Sequence, residues 1–167
     1  MAFLGIVVRL FAREFSAAAE WGKNTLDLHP ASQIGRAFYA DALDYAGQPE
    51  ESLLQYRLAR SLAPDVLWIR ADEARHLSLH GQVEEAAAIL ADLQRIRENQ
   101  YVDAYHIALL LDALGKRDEA FQELERAYEE GSYALLFAGL DAKADGLRSD
   151  PRFASLRKRA LGEAYHA

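Results

Sequence analysis

Sulfur is almost missing from this chain, which has no cysteine and one methionine in 167 residues. That excludes a disulfide framework, a thiolate metal centre and a cysteine nucleophile, and it agrees with a reducing compartment, so a cytoplasmic location is expected. Proline is scarce at four and glycine numbers ten. Few points therefore interrupt a helix, and the abundance of Ala, Leu, Glu and Arg makes helix the default. Positive charge is in deficit, with 19 Lys and Arg against 26 Asp and Glu and a net charge of −7. Nothing here favours phosphate backbones or anionic lipid surfaces, so neither nucleic acid nor membrane is an expected partner. Long apolar runs are lacking too. The opening "MAFLGIVVRLFA" is broken by Arg9, has no basic segment before it, and falls short of the roughly 20 apolar residues that span a bilayer.

What is present is a repeat. Gly47, Gly81 and Gly115 stand 34 residues apart, and each opens a short polar run, "GQPEES", "GQVEEA" and "GKRDEA". Before the glycines come small residues (Ala40, Ala74, Ala108) and leucines (Leu43, Leu77, Leu111). After them come Ser52, Ala86 and Ala120, then Tyr56, Leu90 and Leu124, then Ala59, Leu93 and Ala127. Within each half the apolar positions recur at three and four residues, which gathers them on one helix face. Each unit therefore reads as a helical hairpin, with small residues allowing close approach and the glycine ending the first helix. Pro30 and Pro64 keep the same 34-residue spacing and place a fainter unit at the start, with Arg13 where the others have glycine.

These residues resemble the tetratricopeptide repeat (TPR) family, most closely in "AYHIALLLDALGKRDEAFQELERAYEEGS". The closing "LLFAGLDAKADGLRSDPRFASLRKRAL" is similar to the segment that ends such arrays in bacterial multidomain signalling regulators. The resemblance implies an all-α, right-handed α-solenoid of about four hairpins (1–31, 32–65, 66–100 and 101–132) with a C-terminal capping helix within 133–167, in a single domain over 1–167. A cap is needed because a hairpin cannot bury its own apolar face, so the last one requires a cover that is polar outside. In "SDPRFASLRKRAL" Asp150 suits the helix N-cap, Pro151 the first turn, and Phe153 the docking face.

The resemblance also implies a function without chemistry: a protein–protein interaction module, an adaptor or scaffold of bacterial origin, binding a segment in its concave groove. Projecting the family geometry places Phe38, Asp41, Asp44, Tyr45, Trp68, Asp72, Arg75, Tyr105, His106, Leu109 and Asp112 on that groove. Aromatics among aspartates suit a peptide with apolar anchors and basic residues, and Arg75 is the one clear cation expected there. Separately, Phe3, Leu4, Val7, Leu10 and Phe11 leave the first helix apolar nearly all round. Such a helix needs cover on every side, which predicts a homodimer or a partner interface at this end and makes an oligomerisation module the alternative reading.

Catalytic templates are absent: no G-x-S-x-G, no G-x-x-x-x-G-K, no G-x-G-x-x-G. Glu73, His76 and His80 share a helix face at metal-ligand spacing, but no H-E-x-x-H or second E-x-x-H supplies further ligands. No metal, no cofactor and no catalytic residue is expected, and the histidines are assigned to helix contacts and a helix end, with a metal-dependent enzyme using His76 and His80 as a third reading after the two above.

Overall fold

Helix corners set how this chain pairs its elements. The structure, a computed structural model, describes residues 3–162, and among these it is all-α, with no strand. Four pairs follow one another: α1 (Leu4–Phe11) with α2 (Phe15–Leu28), α3 (Gln33–Tyr45) with α4 (Pro49–Leu62), α5 (Leu67–Leu79) with α6 (Val83–Arg97), and α7 (Ala104–Ala113) with α8 (Arg117–Glu129). Two 3₁₀ turns (Ala134–Phe137 and Ala142–Leu147) and α9 (Pro151–Leu161) complete the described chain.

The spaced glycines are the corners within three pairs. Gly47, Gly81 and Gly115 have φ of 79°, 82° and 76°. In each, the residue after the glycine donates its N–H to the carbonyl five residues back (Gln48 to Leu43, Gln82 to Leu77, Lys116 to Leu111) at 2.8–2.9 Å. That bond closes a helix C-terminus through a left-handed residue. Arg13 stands 34 residues before Gly47 and takes the same conformation at φ 63°, with the Glu14 N–H on the Arg9 carbonyl at 2.9 Å. An arginine there carries a backbone cost of roughly 1 kcal/mol that glycine would not.

The recurring small and large residues form the core. Ala40, Ala74 and Ala108 are fully buried, as are Ser52, Ala86 and Ala120 and then Ala59, Leu93 and Ala127. The cap follows from its own sequence: Asp150 accepts from the Arg152 N–H at 3.0 Å, Pro151 fills the first turn, and Phe153 and Leu156 are buried in the cluster formed by α5 to α8.

The first helix is covered in part by its own chain. Ile6 and Leu10 are buried beside Ala18, Ala19, Ala42 and Leu43, Phe3 stacks on Phe38 at 5.9 Å, and Phe11 stacks on Phe137 of the C-terminal segment at 5.7 Å. Arg13 adds an ion pair with Asp145 at 2.8 Å. The C-terminal segment thus folds back to meet α1 and supplies part of the cover its apolar circumference calls for. Leu4 at 45% exposure and Val8 at 63% remain open to solvent, and Phe3, Val7 and Phe11 are only partly buried. Among the described residues, no helix is long and apolar enough to cross a membrane.

Candidate functional site

The inner helices α1, α3, α5 and α7 and the returning C-terminal segment enclose a cavity of about 600 Å³. Its wall carries a line of rings that crosses all four helices. Phe3 meets Phe38 at 5.9 Å, Phe38 meets Trp68 at 5.8 Å, and Trp68 meets His106 at 5.3 Å. Phe11 and Phe137 face this line from the other side, with Tyr133 at the rim. Offset rings at these separations attract one another beyond the area they bury, which holds the wall in shape.

Beneath the rings lies a buried charge network. Lys143, at the start of the second 3₁₀ turn, donates from Nζ to Asp72 Oδ2 at 2.6 Å and to Asp41 Oδ2 at 3.2 Å. The Tyr56 hydroxyl donates to Asp41 Oδ1, and His106 Nδ1 donates to Asp72 Oδ1 at 2.8 Å. All four carboxylate oxygens are thus satisfied by protein donors. Tyr105 completes the floor by donating to Asp141 Oδ2 at 2.9 Å.

The environment divides the two aspartates. Burial raises both. At Asp41 it outweighs the pull of Lys143 and pushes the carboxyl up to about 6. At Asp72 burial is overcome by Lys143 and by His106, which hold it below the ordinary carboxylate range. Burial alone would lower His106, but the Asp72 charge and hydrogen bond raise it. Burial also raises the Tyr56 and Tyr105 phenols, so both remain hydrogen donors. A network with every member paired holds its geometry, leaving the apolar wall as the surface open to a ligand.

Six of the eleven expected groove residues line this cavity: Phe38, Asp41, Tyr45, Trp68, Tyr105 and His106. The other five lie elsewhere. Asp72 sits under the lining at 1% exposure. Arg75 is also buried, with its guanidinium donating to the Tyr45 hydroxyl at 3.3 Å, so it is no free cation for a ligand. Leu109 belongs to the main core at 1% exposure, because the C-terminal segment packs over the inner face of α7. Asp112 accepts from Arg117 Nε at 3.2 Å, and Asp44 turns to His76 and His80. Of the α1 residues, Phe3, Leu4, Val7, Leu10 and Phe11 all border the cavity.

Lys143 was the residue sequence reasoning missed, together with Asp141, Tyr133 and Phe137. The groove is therefore not simply acidic: a lysine 102 positions from Asp41 pairs with two carboxylates of its floor. The available signal was a lysine set between Ala142 and Ala144 in the segment that returns to the array. Glu73 also leaves the set of possible metal ligands, since its carboxylate turns toward Arg60 at 3.2 Å and Arg57 at 3.8 Å. Comparison with protein-family models, with curated proteins and with solved structures returns no match.

Proposed function

We propose that this chain is a non-catalytic protein–protein interaction module of the tetratricopeptide type, an adaptor or scaffold that takes the apolar anchor of a protein segment into its aromatic cavity. The observation that carries this reading is the line Phe3, Phe38, Trp68 and His106, one ring from each inner helix. Rigid aromatic surface is what interface anchors pack against. The cavity's size suits one or two large side chains. Leu4, Val8 and Tyr133 line the cavity and are themselves exposed, so its apolar lining reaches solvent where a partner can meet it. With Lys143 engaged by Asp41 and Asp72, the remaining carboxylates of Asp103 and Asp141 at the cavity favour a segment with basic residues beside the anchor.

Selection of random displayed peptides against the protein tests this. The expected winners share one or two large apolar residues flanked by Lys or Arg. Trp68→Ala is expected to weaken them by about 2 kcal/mol, roughly 30-fold in Kd, with helicity intact. Peptides with no common anchor, or ones that bind Trp68→Ala equally well, would sink the proposal.

A further inference from the structure

The geometry points to a second site, away from the cavity wall: Asp44, His76 and His80 form a binding site for a divalent transition metal of the zinc and cobalt class. The two histidines occupy the last turn of α5 and its C-cap, with ring centroids 4.4 Å apart. Asp44, near the end of α3, brings its carboxylate to both: Oδ1 lies 3.2 Å from His76 Nδ1 and 2.7 Å from His80 Nε2. One ligand atom from each residue lies within 4.8 Å of the others. Ligand atoms around a tetrahedral zinc ion, with bonds near 2.0–2.1 Å, stand about 3.3 Å apart, so small side-chain adjustments suffice to admit the ion.

The donor set decides the class of ion. Two imidazoles and one carboxylate suit first-row transition metals, whereas calcium and magnesium prefer oxygen alone. Access is provided on the His80 side, where the side chain is 36% exposed while His76 is 2% exposed. Water takes the remaining coordination position from that side. The frame is rigid: the left-handed Gly47 and Gly81 stand immediately beyond the ligands and fix both helix ends, and His76 Nδ1 lies 3.4 Å from Ser52 Oγ, which is itself bonded to the Ala40 carbonyl.

The repeat supplies an independent argument. At the position of His76 the flanking hairpins carry Ala42 and Leu110, and at that of His80 they carry Ala46 and Leu114. Packing at this corner therefore asks for an apolar residue, and only the third hairpin replaces both with imidazoles, opposite an aspartate. A neutral imidazole bears its proton on either nitrogen, so binding needs only the tautomers whose lone pairs face Asp44. The bound ion would clip hairpin two to hairpin three.

The test uses untagged protein freed of metal by a chelator. Cobalt(II) is titrated and followed by its visible d–d absorption, then displaced with zinc(II), and the stoichiometry is taken from calorimetry. One ion per chain is expected, with a rise in Tm on zinc addition. His80→Ala and Asp44→Asn should each weaken binding by more than about 100-fold, beyond the effect of losing an outer-shell contact, while His29→Ala, far along the sequence and exposed, leaves it unchanged. Circular dichroism of His80→Ala confirms that the partly exposed position tolerates the change. No cobalt spectrum and no heat at millimolar metal, or cobalt binding that His80→Ala does not alter, would overturn the site.

Discussion

At the scale of single residues, the inner network ties stability to pH through His106 and Asp41. Both hold their protons more tightly in the folded protein than in the unfolded chain. Groups of that kind contribute most when protonated, and their contribution is lost as pH rises from the unfolded value through the folded one. For Asp41 this loss falls between its ordinary 3.8 and about 6. For His106 it starts above its ordinary 6.5, so the two steps separate. Thermal unfolding of the wild type should therefore show a lower Tm at pH 8 than at pH 6.5, and His106→Gln should flatten that difference. An unchanged slope in the variant would show that the Asp72 to His106 contact does not set the titration.

Among the elements, α9 shows how far local rules reach. Its cap, its proline and its apolar face were all legible, because each rests on neighbours within a few residues. Phe153→Ala should cost about 3–5 kcal/mol, as for other buried aromatics, and denaturant unfolding will read it as a lower midpoint at unchanged slope. The hairpins were legible for a similar reason, since one glycine conformation recurs every 34 residues. Arg13 is instructive here: the spacing alone placed it at a corner, and the backbone takes the left-handed turn despite the side chain. Leu109 marks where the projection failed. It occupies the repeat position of Asp41 and Arg75, but in the fourth hairpin the C-terminal segment lies over that face and turns a groove position into core. Lys143 stayed hidden because a contact spanning 102 residues leaves no periodic trace.

Over the whole molecule, the returning segment changes how the hairpins depend on each other. In an open array each repeat touches only its neighbours, so stability is nearly a sum of local terms. Here Lys143 joins α3 and α5 to the far end of the chain, and Phe11 with Phe137 joins α1 to it. Lys143→Met would leave Asp72 and Asp41 buried without their cation, a loss of about 3–5 kcal/mol and a fall in Tm of roughly 10 °C. Hydrogen exchange should speed up in α1 and in residues 133–147 together, although neither includes the other's sequence neighbours. Faster exchange confined to residues near 143 would mean that the ends are not coupled. Adding Asp41→Asn should restore part of the loss. Repeat arrays commonly change length by duplicating a unit, but in this chain an extra hairpin between α4 and α7 would carry residue 143 away from Asp41 or Asp72. The number of repeats is thereby tied to one lysine, and a lineage of such chains could lengthen only by giving up that lysine's place in the core.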